Sequence, residues 1–451
     1  MFYNSCCMDY IIEKRTLSFF KKFNKPLSVE LTEIFKTVSE IHFNARFNHN
    51  ILEGQIPDNI TKIHFGNYFN KDISFLPDSV ENINFGDNYN KPINKLPNNL
   101  KTIRFGKNFR QTIENIPESV ERIVLDNNYE NKFNLKYPLK DLIFAFDFNK
   151  EIDLSKCLIE KICFGEEFNQ NIDRRLPSNL KKLSFGNAFN KEINILPDSI
   201  EKIKFSTIFN SKINYFPKNL KILSLSSCFN RELINLPYGL IFLELGNSFS
   251  NSLNNLPHSL KYLYLGNSYN YEINMLPSSL EELYLGNSFN RHLDNLPNSL
   301  QVLSIGEKFN LPINNLPFNL KKLLINGDFN QSIENLPDSL EYLSIQGNFN
   351  HEIKKYPTSL KILIFDTNYY RWIDNLPESL EYLFCGYYTD EEKNIKLSEY
   401  KDKVPIIIKL PSNVKYVYYH PEYPVWFSNS IIKTFPNVKF SCIKEVKSII
   451  L

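Results

Sequence analysis

Histidine, cysteine and paired acidic side chains are the groups that could run a reaction or hold a metal ion. The seven histidines, among them His42, His64, His258 and His420, are scattered along the chain without clustering. No GxGxxG, P-loop, HExxH or GxSxG segment supplies the phosphate cradle, zinc pair or activated nucleophile that such motifs build. Cys157 and Cys163 flank one apolar segment, but with no CxxC pair and no nearby histidine they do not read as metal ligands. No catalytic residue, metal or cofactor is expected, and His64 beside Asn82 and Asn84 reads as a solvated surface residue. The cysteines, Cys6, Cys7, Cys157, Cys163, Cys228, Cys385 and Cys442, are odd in number and scattered, which fits reduced thiols in an intracellular chain.

With 52 Lys plus Arg against 50 Asp plus Glu, the formal charge is +2, so no global field steers nucleic acid or an anionic membrane. Any charge effect must be local. Hydrophobic content of 42% with 23% charged residues is that of a folded protein. Asp9, Glu13, Lys14 and Arg15 interrupt the first apolar stretch, so no signal peptide is read there. No stretch approaches the roughly 18 consecutive apolar residues of a membrane span. A soluble, intracellular, cytoplasmic location is the resulting expectation.

The elements that position these side chains come from one repeat. Pro57, Pro77, Pro97 and Pro117, then Pro177 and every twentieth residue to Pro377, account for 15 of the 24 prolines. Between them the register shifts slightly: Pro138 is displaced and Lys156 stands in a proline position. Counting from each proline, large apolar residues fall at three, six and eight, as Leu280, Leu283 and Leu285 do after Pro277. Glycine usually follows at nine, an aromatic at twelve, Asn at thirteen, and apolar residues at sixteen and nineteen. Positions six and eight alternate with outward positions five and seven, the period of a half-buried strand. Glycine at nine predicts a bend or a positive φ after the strand. Asn at thirteen is expected to turn inward and satisfy backbone groups of the bending chain.

Twenty residues cannot return to the next parallel strand through a long helix, so the returns must be irregular. The expected fold is a leucine-rich-repeat-like solenoid with one short parallel strand per repeat, irregular convex returns and an α-helical N-terminal cap. A lone repeat buries too little to offset the entropy of ordering its backbone, so stacking must supply the rest. The boundaries read as a cap over 1–35, with Leu27 to Phe35 as its helix. About 17 repeats follow over 36–388, then a charged insertion over 389–403 and a C-terminal cap over 404–451.

The pattern resembles the FNIP-repeat family, a leucine-rich-repeat relative abundant in social amoebae and in giant viruses of the mimivirus type. Phe189-Asn190, Ile193 and Leu196-Pro197-Asp198-Ser199-Ile200 carry the resemblance, which runs from about Phe47 to Cys385. It implies a protein-binding solenoid without enzymatic activity. Some members of that family carry an F-box, which would make the chain a substrate adaptor of a ubiquitin ligase with ligase components as partners. Residues 1–46 lack the Leu-Pro-x-Glu opening of that module.

Recognition is then expected on the concave sheet face, at positions five and seven. In the C-terminal half these hold Phe242, Tyr262, Tyr264, Tyr284, Tyr342, Tyr382 and Phe384, the composition of a protein interface core. Tyr262, Tyr264 and Tyr284 would lie on adjacent strands as one cluster. In the N-terminal half they hold Arg104, Arg122, Lys161, Lys182, Lys202 and Lys204, a basic patch that would suit an acidic peptide or nucleic acid. Few aromatics interleave with these basic residues, which argues against single-strand recognition. A protein partner is therefore the leading expectation, a second copy of the chain its alternative, and a membrane is not expected.

Overall fold

A computed structural model describes residues 10–20, 22–126, 129, 133, 135, 137–366, 369, 371–385, 406–407, 409–419 and 439–442. The chain divides into two compact units, Met1–Leu220 and Lys221–Leu451. Both are built from the same turn, strand and return.

The turn comes from the Leu-Pro segment. The amide of the residue three after proline donates to the proline carbonyl, at 3.1 Å from Leu280 to Pro277 and 3.0 Å from Leu260 to Pro257. Proline loses nothing there, because the sheet asks no N–H of it. The serine two residues after proline fixes this turn to the repeat before: Ser279 Oγ donates to the Leu260 carbonyl at 2.8 Å and Ser299 Oγ to Leu280 at 2.7 Å.

A strand of three or four residues follows, parallel to its neighbour and in register with it. Leu243, Leu263, Leu283 and Leu303 stand opposite one another on successive strands of the second unit. In the first unit Ile41, Ile63, Ile83, Ile103 and Ile123 do the same. Each of these central residues is fully buried, while the residues on either side of it face outward. The irregular Pro117–Pro177 stretch keeps the sheet intact: Leu139–Phe144 pairs with Arg122–Leu125 on one side and Ile159–Cys163 on the other.

Glycine at the ninth position has a different reason from the expected one. Among the described glycines positive φ is confined to Gly54, Gly327 and Gly347, none of them at that position. Instead the backbones approach too closely for a side chain: a Cβ on Gly266 would overlap the Gly246 carbonyl, and one on Gly286 the Gly266 carbonyl. The chain does turn there, with the Tyr269 amide donating to the Gly266 carbonyl at 3.1 Å, but it is the contact between repeats that excludes a side chain.

The return is held by the aromatic at twelve. In the second unit Phe229, Phe249, Tyr269, Phe289, Phe309, Phe329, Phe349 and Tyr369 stack in one column with centroids 5.9 to 6.4 Å apart. The first unit adds a second column, in which Phe43, Phe65, Phe85 and Phe105 lie 5.4 to 5.7 Å apart. Leu225, Leu245, Leu265 and Leu285 take that eighth position in the second unit. Asn at thirteen does serve the backbone, but from the surface: Asn290 Oδ1 accepts from the Asn310 amide at 3.2 Å, and Asn310 Oδ1 from the Asn330 amide at 2.9 Å. All three asparagines are exposed.

Among the described residues α-helix is confined to Val29–Phe35, capped by Ser28, whose side chain accepts from the Leu31 amide. Before it, Tyr10–Glu13 and Thr16–Phe19 form an antiparallel hairpin, and the second of these strands pairs in parallel with Glu40–His42. The N-terminal segment thus extends the sheet as well as supplying the expected helix. In the second unit Tyr416–Tyr419 pairs with Tyr382–Cys385 and Lys439–Cys442 with Tyr416–Tyr419, both in parallel. The Leu410-Pro411 segment repeats the turn, with the Val414 amide donating to the Pro411 carbonyl at 3.3 Å. The charged insertion at 389–403, His420 and most of the C-terminal cap, including Trp426, lie outside the described residues. Among the described residues no helix is long and apolar enough to cross a membrane.

Candidate functional site

In-register stacking sorts the outward side chains into two rows, so residues far apart in sequence become neighbours at fixed spacing. In the second unit one row runs Ile222, Phe242, Tyr262, Glu282 and the other Ser224, Glu244, Tyr264, Tyr284. Phe242, Tyr262, Tyr264 and Tyr284 are all half-buried, because they cover one another. The rings of Tyr264 and Tyr284 stack at 4.2 Å, and Phe242 lies 5.2 Å from Tyr264. Both phenols donate to Glu282 Oε2, at 3.4 Å from Tyr264 and 3.2 Å from Tyr284. Burial and the Glu282 charge push the Tyr284 phenol well above its ordinary range. The tyrosine cluster is therefore assembled as the repeat count implies, and it is a packed, preorganised patch with Glu282 at its centre.

Further along the same unit the outward face changes character. Tyr342 is half-buried, with the Lys322 ammonium 4.6 Å over its ring. Phe384 departs from the expectation of a contact residue: it is 1% exposed and forms an apolar cluster with Ile364 and Tyr418, against which Tyr342, Ile362, Tyr382 and Tyr416 pack. Apolar residues at both outward positions pack against one another across this part of the sheet. Tyr382 stacks on Tyr416 at 5.6 Å within that layer.

In the first unit the basic residues line up, but not as an uninterrupted patch. The register-shifted strand brings Asp141 opposite Arg122 and Lys161. Its carboxylate lies 2.7 Å from Arg122 Nη2 and 3.8 Å from Lys161 Nζ, which neutralises the middle of the strip. Arg104, Lys182, Lys202 and Lys204 make no ion pair among the described residues. A shallow groove of about 600 Å³ runs over this region between Asn82 and Lys182. Along its side the fourth position alternates in sign, with Lys101 bound to Glu81 at 2.8 Å, Lys140 to Glu121 at 2.8 Å and Lys181 to Glu160 at 2.9 Å.

The histidines are not all scattered, contrary to expectation. His42 and His64 are 22 residues apart in sequence but direct partners on neighbouring strands, with ring centroids 4.2 Å apart. Glu40, two residues before His42 on the same outward face, places Oε1 2.6 Å from His42 Nε2 and 3.1 Å from His64 Nε2. Asn84, the next residue along the row, sets Nδ2 2.9 Å from His64 Nδ1. Burial and the neighbouring His42 hold His64 below the ordinary imidazole range. Burial opposes ionisation of Glu40, but the His42 hydrogen bond and nearby positive charge hold its carboxyl below the usual range. The spacing of 22, against 20 in the later repeats, hid this pair; aligning Ile41 with Ile63 would have exposed it.

Short in-register parallel strands, irregular returns and variable side chains confined to outward positions define a leucine-rich-repeat-type solenoid, a fold typical of protein-interaction scaffolds. The chain belongs to the FNIP-repeat family: the FNIP Repeat profile matches residues 47–88, 74–108, 89–127, 168–208, 249–288, 269–308 and 309–348. Among solved structures it is similar to CroV588, described as a novel circular LRR protein. That likeness has 28% identity and a TM-score of 0.62 and covers 92% of this chain and 81% of that one. It also aligns with YopM from Yersinia enterocolitica WA-314 at 16% identity and a TM-score of 0.42, covering 90% of this chain and 92% of that one. No curated protein matches.

Proposed function

We propose that the chain is a non-catalytic scaffold that binds a protein partner through the aromatic patch on the outward sheet face of the second unit. One observation carries this reading: Phe242, Tyr262, Tyr264 and Tyr284 stand half-buried on three adjacent in-register strands, with Tyr264 and Tyr284 stacked and Phe242 tilted against Tyr262 and Tyr264. Aromatics held this way lose little conformational freedom on binding, which is the property of interface anchors. Glu282, between the two phenols, supplies a polar centre that suits a donor on the partner, such as an Arg or Lys side chain.

The basic strip of the first unit supports a nucleic-acid reading less well, because Asp141 occupies its middle. The test is affinity purification from native cells with the full chain and with a Y262A/Y264A/Y284A variant, folding checked by circular dichroism. A protein recovered by the wild type and lost with the folded variant is the expected result. An identical set of proteins from both would overturn the proposal. Recovery of a ligase-core subunit by both would redirect it to the adaptor reading.

A further inference from the structure

We propose that Glu40, His42 and His64 form a binding site for a divalent transition-metal cation of the zinc class. The three side chains project from the outward face of two neighbouring strands, and their donor atoms all lie within 4.8 Å of one another. Tetrahedral zinc with nitrogen and oxygen ligands at about 2.0–2.1 Å requires donors roughly 3.4 Å apart. Glu40 Oε1 stands 2.6 and 3.1 Å from the two Nε2 atoms and all three donors fall within 4.8 Å, so side-chain shifts of about an ångström bring the set to that spacing. Strand register, not a flexible loop, sets the separation of the two imidazoles.

The surroundings supply the outer support that metal-binding histidines use. A ligating imidazole donates its other N–H to a fixed acceptor, which sets the tautomer and the ring plane. Asn84 is in place for that role, 2.9 Å from His64 Nδ1. Turning its amide so that Oδ1 accepts from Nδ1–H leaves the Nε2 lone pair facing Glu40 and His42. The two orientations of an amide differ only in which end meets the ring.

Two imidazoles and one carboxylate select zinc, cobalt, nickel or copper over magnesium and calcium, which prefer all-oxygen sets. Lys62, opposite Glu40 on the next strand, is the charge that weakens a cation here. Three protein ligands leave at least one coordination position for water or for a donor from a partner. A cation held this way ties the strand Glu40–His42 to Lys62–His64 at the start of the repeat array.

Titration calorimetry of the full chain, free of any histidine tag, with zinc chloride and separately with magnesium chloride tests the site. One equivalent of zinc is expected, with no magnesium binding. Affinity should fall at least about 10-fold in H42A, H64A and E40Q, and roughly 10-fold in N84A, the usual cost of losing an outer-shell partner. His258→Ala, which removes a histidine outside the set, should bind as the wild type does. Cobalt loading gives an independent readout, through the intense visible bands of tetrahedral coordination and their loss in H64A. Absence of saturable zinc binding, or zinc binding that H42A and H64A leave unchanged while both variants keep the wild-type circular dichroism, overturns the proposal.

Discussion

Tyr264 and Tyr284 are twenty residues apart in sequence and stack with centroids 4.2 Å apart and planes 6° from parallel, both donating to the same Glu282 oxygen. The contact holds one repeat to the next on the outward face, where the buried columns do not reach. A double-mutant cycle on Y264A and Y284A, read from urea unfolding, should give a coupling of about 0.5–1.5 kcal/mol, the range of aromatic pairs. Additive effects would mean that the stack contributes nothing to stability.

Two glycines should respond oppositely to alanine. A Cβ on Gly266 would overlap the Gly246 carbonyl, whereas one on Gly239 meets nothing within 4 Å, and neither residue has a positive φ. Gly266→Ala should destabilise by about 2 kcal/mol or more, as overpacking does. Gly239→Ala should be neutral or stabilise by about 0.5 kcal/mol through the unfolded chain. Thermal unfolding of the two variants side by side checks the contrast, and equal melting temperatures would contradict it.

Alkaline pH should unfold the protein through its buried phenols. Burial pushes the Tyr269 phenol up to about 12 and the Tyr89 phenol higher still. A raised folded pKa favours the protonated form in the native state, so this contribution is intact below the ordinary phenol range near pH 10. Above it the unfolded chain ionises first, and stability falls as pH rises toward the folded pKa. Tyr89→Phe and Tyr269→Phe should blunt that fall. Both hydroxyls are buried without a hydrogen-bond partner among the described residues, so the variants should lose no stability at neutral pH. Unfolding curves at pH 7, 9 and 11 measure both effects.

Asp141 should govern how the basic strip meets anions. Its contacts with Arg122 and Lys161 withdraw those two cations from phosphate. Asp141→Asn should strengthen binding of a single-stranded oligonucleotide and steepen its salt dependence by roughly one unit of slope or more. Because Arg122 is about half exposed, the stability change should stay below about 1 kcal/mol. Fluorescence anisotropy over a salt series reads the slope, and an unchanged slope would show that Asp141 does not mask the strip.

Much of this was legible in the residues. The interval between prolines and the alternation around Leu263 or Ile83 specify strand, face and register, because each repeat must bury the same positions against its neighbours. That made Tyr262, Tyr264 and Tyr284 predictable as one cluster before any coordinates. The alternating charges at the fourth position, Glu81 then Lys101, were equally readable by the same count.

Other features depended on how repeats of unequal length stack. His42 and His64 meet because the first interval is 22 residues, and Asp141 reaches Arg122 because the interval there is 19. Glycine at the ninth position marks a backbone contact between two repeats, which no single repeat reveals. The burial of Phe384 came from its neighbours Ile364 and Tyr418 on the same face, although its place in the count matches that of the half-exposed Tyr264. Period and alternation are properties of one repeat and are written in the sequence, whereas exposure, ion pairing and ligand geometry belong to pairs of repeats and arise only when they stack.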